Sequence, residues 1–221
     1  MVLFDIDGTL VRKAGPHHRE ALVTAVRDVT GMETSIDGIP VQGMLDGDIL
    51  TEMMRRGGAR AAEIRAALPQ VYRRAQTIYV ETCPVLTKAV CPGARSALAR
   101  LDRAGVLLGL VTGNLTAIAW KKTGQAGLAK FFRFGAFSDM GHTRTHLLRL
   151  ACARARREGW IQGDTPITFV GDHPNDIEAA KRNRVQSIAV ATGLSSAREL
   201  AAHRPDILLP TLRSLSLDMV L

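Results

Sequence analysis

Five short apolar runs, at 106–111, 134–137, 167–170, 187–191 and 206–209, alternate with stretches of helical period near 94–104, 114–126, 143–158, 175–182 and 196–203. Strands that pair in parallel need a long crossover between them, and a helix is the usual one. The alternation therefore predicts an α/β fold with a Rossmann-like parallel sheet at its core. Local signals agree. Pro92 and Gly93 open the first of these helices, Gly105 closes it, and Ser196 with Glu199 has the spacing of a capping box. A further strand precedes them all, in the opening run Met1-Val2-Leu3-Phe4.

Between 14 and 88 the pattern changes to helical periods without a strand. Ala21, Leu22, Ala25, Val26 and Val29 share one face; Ile49, Leu50, Met53 and Met54 share another, ahead of a Gly57-Gly58 stop. A third helix carries Ile64, Leu68, Val71, Tyr72, Ala75 and Tyr79, despite Pro69. The expected organisation is a catalytic core of 1–13 and 89–221 interrupted by an all-helical cap domain at 14–88, with linkers near Arg12–Gly15 and Pro84–Pro92. The apolar faces imply a small bundle of its own, able to lie over the strand ends as a lid.

A length of 221 residues suits one large domain, or one domain with a modest insertion. No apolar run reaches the length of a membrane span, so no membrane partner is expected. The chain starts directly on a strand, without room for a targeting peptide, and a cytoplasmic location is expected. Cys83, Cys91 and Cys152 show no C-x-x-C spacing and read as plain thiols. The net charge of +8 comes largely from helical arginines such as Arg149, Arg154, Arg156 and Arg157, with only 5% aromatic residues. Nucleic-acid binding would want a basic stripe with stacking rings, and no nucleic-acid partner is expected. A positive field still attracts small anions.

In a parallel sheet, ligands gather where the strands end. The first strand ends in Asp5-Ile6-Asp7-Gly8-Thr9, which alone could be a polar strand end before an Asp-Gly turn. At such a junction the backbone bends, so one carboxylate can attack a substrate while the other moves its protons. The second strand ends in Thr112-Gly113-Asn114, where a hydroxyl, backbone amides and a helix N-terminus make an anion seat. Thr112 by itself reads equally as a helix cap. The fourth ends in Gly171-Asp172-His173-Pro174-Asn175-Asp176, whose carboxylates could also merely cap the next helix. Carboxylates brought together repel one another, and a bound cation resolves the repulsion. An all-oxygen set suits Mg2+ rather than zinc. His17, His18 and His173 read as surface residues, and a cation beside an anion seat points to phosphoryl transfer.

These residues, in this order and at these strand ends, resemble the haloacid dehalogenase superfamily, and the 190–193 segment resembles its phosphoglycolate-phosphatase-like branch with a helical cap. The resemblance implies Mg2+ as cofactor and an aspartyl-phosphate intermediate. It makes Asp5 the nucleophile and Asp7 the acid and base. It gives Mg2+ to Asp5, the Asp7 backbone carbonyl and Asp172, with Asp176 in support. Thr112 and the backbone of Gly113 and Asn114 would bind the phosphoryl oxygens. A carboxylate at position 7 favours a phosphate ester over a haloacid or a phosphonate.

The superfamily's third motif, usually a lysine ahead of the fourth strand, is not evident here. Arg144 is the expected substitute, preferred to Lys121 or Lys122, whose helix reads as facing solvent. Gly43 and Asp46 lie where a cap would choose its substrate, although Asp46 reads better as a helix N-cap. The expected function is an Mg2+-dependent phosphomonoester hydrolase acting on a small phosphorylated metabolite such as phosphoglycolate. The alternatives are a phosphomutase or phosphotransferase acting on sugar phosphates, and a non-catalytic regulatory or binding protein that keeps the fold.

Overall fold

The computed structural model describes residues 1–12 and 15–220. Six parallel strands form one sheet: β1 (Val2–Phe4), β2 (Leu108–Val111), β3 (Phe134–Ala136), β4 (Thr168–Gly171), β5 (Gln186–Val190) and β6 (Ile207–Leu209). Their order is β3-β2-β1-β4-β5-β6. β1 pairs with both β2 and β4, in the register Leu3 to Gly109 and Leu3 to Phe169. The two halves of the sheet therefore wind away from β1 in opposite directions and open a crevice at its carboxyl end.

Every residue of β1 to β4 is buried, as expected for strands covered on both faces. Alternate side chains go to opposite layers. Val2, Phe4, Leu110 and Val170 pack with α4 (Ala94–Arg103) and α5 (Thr116–Gln125). Leu3, Val111, Phe134 and Phe169 pack with α6 (Arg144–Arg157) and α7 (Pro174–Asn183). A short α8 (Ala197–Ala202) precedes β6. Ser196 caps it by accepting from the Glu199 amide at 3.2 Å. Glu199 makes no return bond among the described residues, so half of the expected capping box forms.

Between β1 and β2 lie α1 (His17–Thr30), α2 (Asp46–Arg56) and α3 (Ala61–Thr82). Pro69 sits inside α3 on its exposed side, where the carbonyl freed by the missing N–H can meet water. The chain leaves and re-enters the core on paired segments: Arg12 N–H donates to Ala89 at 2.8 Å, and Cys91 N–H to Leu10 at 2.9 Å. The expected boundary between residues 13 and 14 lies outside the described residues. The insertion does not keep its apolar faces to itself. Leu22, Met53, Val71 and Tyr79 belong to the same buried cluster as Leu115, Ile118 and Ala119 of the core. Three-helix packing leaves one apolar side over, and α5 covers it.

All three cysteines are free and buried. Among the described residues, no helix is long and apolar enough to cross a membrane.

Candidate active site

Asp5 directly follows β1, and its N–H still donates to Val170 at 3.0 Å, so the sheet fixes its backbone. The chain then turns sharply: Leu10 and Val11 both donate to the Ile6 carbonyl, and Gly8 takes φ 86°. A Cβ at Gly8 would stand 2.1 Å from Asp172 Oδ2, so glycine is required there both for the turn and for the approach of β4's carboxylate. Thr9 holds that carboxylate in place, donating to Asp172 Oδ1 at 2.9 Å.

Asp176, in the first turn of α7, accepts from the His173 N–H through Oδ2 at 3.2 Å, which leaves Oδ1 free to face inward. Arg144, the first residue of α6, is buried against both carboxylates: Nη1 donates to Asp5 Oδ1 at 2.9 Å, and Nε lies 3.2 Å from Asp176 Oδ1. The second contact is an ion pair without hydrogen-bond alignment, and both atoms are buried without a bonded partner.

Asp5, Asp172 and Asp176 each bring an oxygen to within 4.8 Å of the others. Burial, partly offset by Arg144, pushes the Asp5 carboxyl up to about 7. Burial and the charges of Asp5 and Asp176 push Asp172 up to about 8. Burial also raises Asp176, against the pull of Arg144. One guanidinium does not neutralise three buried carboxylates. An all-oxygen trio with an unbonded Asp176 Oδ1 fits a hard divalent cation. The Asp7 side chain lies outside the trio, and Asp176, expected only in support, lies inside it.

Asp7 turns instead toward a group that the sequence reading put in solvent. Lys122 is 1% exposed, and its Nζ donates to both Asp7 oxygens at 2.8 Å and to Asn114 Oδ1 at 2.7 Å. The Asn114 amide donates to Asp7 Oδ2 at 2.7 Å. Burial raises the Asp7 carboxyl, but Lys122 and then His18 outweigh it and hold it below the usual range. The expectation that Lys122 faces solvent is thus overturned. Its position was legible: with Leu115, Ile118 and Ala119 it falls on the stripe that α5 buries, where a lysine must find a carboxylate.

The loop after β2 also differs from expectation. The N-terminus of α5 is not a free anion seat, because its amides already have acceptors. Leu115 donates to Asp46 Oδ2 at 2.8 Å, Thr116 to Asp139 at 3.1 Å and Ala117 to Gln76 at 2.7 Å. The Gly113 amide, on the cavity wall, has no acceptor among the described residues, and the Thr112 hydroxyl beside it is buried and accepts from Asn114. The Asn114 side chain is bonded to Asp7 and Lys122.

The helical insertion completes the walls. Asp46 does not act as the expected helix cap; Leu45 holds that position, and Asp46 bonds across to the core. It also meets His18 Nε2 at 3.1 Å, while His18 Nδ1 lies 3.4 Å from Lys122 Nζ. His18 is therefore part of the site and not a surface residue. His173 is not free on the surface either: its Nδ1 accepts from the Asn175 N–H at 3.1 Å, and its ring lies against Gly43. Asn175 Nδ2 donates to the Gly43 carbonyl at 3.0 Å. A cavity of about 490 Å3 runs from Asp7, Asn114, Arg144 and Asp172 to the inner face of the insertion.

A family model described as haloacid dehalogenase-like hydrolase matches residues 1–183. The chain is 28% identical over 221 residues to "Probable phosphatase IndB" of Dickeya dadantii, covering 96% of this chain and 89% of that one. It is 25% identical over 219 residues to a phosphoglycolate phosphatase of Pseudomonas putida, covering 97% and 78%. Among solved structures, a β-phosphoglucomutase of Clostridium difficile superposes with a TM-score of 0.71 at 15% identity, covering 99% of this chain and 93% of that one. At that identity the likeness is one of fold.

Proposed function

Because the chain belongs to the haloacid dehalogenase-like hydrolase family, we propose that it is a Mg2+-dependent phosphomonoester hydrolase acting on a small phosphorylated metabolite through an aspartyl phosphate on Asp5. One observation carries the reading: Asp5 lies buried among Asp172, Asp176 and Arg144, while Asp7, half-exposed, opens on the cavity beside it. The relatives named as phosphatases support the same reaction class.

In this reading Asp5 attacks phosphorus in line and the alcohol departs on the far side. Asp5, Asp172 and the Asp7 backbone carbonyl would hold Mg2+, with Asp176 orienting the group, and the ion would neutralise charge on the transferring phosphoryl oxygens. Arg144 holds Asp5 in line and offers its free guanidinium edge to an equatorial oxygen. The Thr112 hydroxyl and the Gly113 amide would receive the others. Asp7 gives the leaving oxygen its proton and then takes one from the hydrolytic water. Lys122 keeps Asp7 a carboxylate at rest, so the proton for the first step arrives with the substrate's phosphate. Residues 14–88 act as the cap. Asp46, Gly43 and Ser138, which accepts from the Gly47 N–H at 2.9 Å, seat it on the core.

The test is covalent trapping. Protein quenched in acid during turnover, digested and weighed, should carry one phosphoryl group on the peptide containing Asp5, lost on hydroxylamine treatment. Turnover without that adduct, together with activity surviving in Asp5→Asn, would remove the covalent scheme. A phosphomutase would instead return the phosphoryl group to a sugar phosphate, and product analysis separates the two.

A further inference from the structure

The cavity above Asp7 is larger and greasier than a two-carbon leaving group requires. Its volume of about 490 Å3 falls within the range of roughly 300–1,000 Å3 that holds ligands of drug size. The wall away from the carboxylates is made by Val11, Leu22, Ile36, Met44, Ile49 and Leu194. These come from the hinge, α1, α2, the loop between those helices, and the core loop after β5. The surface is thus assembled from both parts of the molecule. Leu194 is 78% exposed at its rim, an apolar side chain that a bound apolar body would cover.

The charges along the cavity argue against a leaving group that carries its own carboxylate. Arg144 is held by Asp5 at 2.9 Å, His18 by Asp46 at 3.1 Å and Arg19 by Asp37 at 3.1 Å. A carboxylate two carbons from phosphorus would enter beside the carboxylates of Asp7 and Asp46, with the free edge of Arg144 given to the phosphoryl group and Arg19 already paired with Asp37. Arg12 has no carboxylate partner among the described residues, but it is exposed, and solvent screens its hold on a small anion. An uncharged hydrocarbon meets no such conflict.

We propose that the alcohol released is a bulky apolar one, of the size of an aryl-alkyl group, so that the preferred substrates are phosphomonoesters of hydrophobic alcohols rather than phosphoglycolate. The inference rests on the hydrolase reading above and names the leaving-group half of the same substrate.

The test compares primary-alcohol esters, so that leaving-group basicity stays similar: ethyl phosphate, phosphoglycolate and 3-phenylpropyl phosphate, each with Mg2+. The kcat/KM for 3-phenylpropyl phosphate should exceed both others by roughly tenfold or more, since a single buried apolar group discriminates by at least that factor. Leu194→Ser, at an exposed position that does not threaten folding, and Ile36→Thr should each shrink that ratio several-fold through KM. Phosphate release that is equal or faster from ethyl phosphate or phosphoglycolate overturns this inference and leaves the hydrolase reading standing. A preference for the aryl-alkyl ester untouched by both variants overturns the assignment of the apolar wall. No release from any of the three esters removes the hydrolase reading, and this inference with it.

Discussion

The Nζ of Lys122 lies 2.8 Å from both carboxylate oxygens of Asp7, and the same ammonium is bonded to Asn114 at 2.7 Å. A lysine that is 1% exposed keeps its charge only beside a carboxylate, so α5 and the β1 turn lock each other. The lock fixes where the Asp7 oxygens point. Lys122→Met keeps the length of the side chain and removes the ammonium. It should leave a folded protein whose kcat falls roughly 10- to 100-fold, the scale of a misplaced acid–base group, with KM little changed. Steady-state kinetics with a circular-dichroism check decides it, and an unchanged kcat would mean that the contact serves packing alone.

Arg144 answers to a different carboxylate, and its loss should look different. Arg144→Ala strips the partner from Asp5 and from Asp176, and breaking a buried pair of this kind costs about 3–5 kcal/mol. Binding of orthovanadate, measured by inhibition, should weaken more in Arg144→Ala than in Lys122→Ala, and Arg144→Lys should restore only part of it because a single ammonium cannot span both carboxylates. The reverse ranking would make Lys122 the residue that holds the phosphoryl group.

The buried trio also sets how the metal-free protein responds to pH. Burial and neighbouring charge raise Asp5 to about 7 and Asp172 to about 8, from the 3.8 of an unperturbed aspartate. Between those values the folded chain keeps protons that the unfolded chain has released. Stability linked to them is therefore full below the unfolded pKa and lost as pH rises through 7 to 8. Thermal unfolding in a chelator should show the midpoint falling from above pH 3.8 until it levels off near pH 8. Mg2+ should flatten the fall, adding about 2.7 kcal/mol when present at roughly 100 times its Kd. A midpoint that ignores Mg2+ would remove the cation from the trio.

Gly43 is a point of close approach between the cap and the core. It takes φ 67°, and a Cβ there would stand 2.3 Å from the His173 ring. Gly43→Ala costs about 1–2 kcal/mol for the left-handed backbone and pushes His173 aside, which loosens the bond from Asn175. The expected result is a raised KM with a smaller change in kcat, read from initial rates; unaltered kinetics would mean that the loop is not seated during turnover.

The parts of this architecture that depend on local pattern were legible before the structure. The β1 to β6 runs, the helical insertion and the four aspartates at strand ends follow from periodicity and from Gly8 and Gly171 beside them. The parts that depend on contact across the cap were not. Lys122 reads as a solvent lysine until its place on the buried stripe with Ile118 and Ala119 is weighed. His18 and Asp46 each have an ordinary local reading, as a surface histidine and a helix cap, and they acquire their partners only when α1 and α2 meet the β2 loop. Asp46 of α2 and Gln76 of α3 take the amides of Leu115 and Ala117, and Asp139 of the core takes that of Thr116, so the anion seat narrows to Thr112 and Gly113.

The central claim is that Asp5 carries the phosphoryl group with the help of a divalent ion. It is tested most directly by inorganic phosphate release from a panel of small phosphomonoesters, in wild type and Asp5→Asn, with Mg2+ and with EDTA. Release should require the metal and vanish in Asp5→Asn, which changes the side chain with almost no change in volume. Release that persists in Asp5→Asn or in EDTA would contradict the claim.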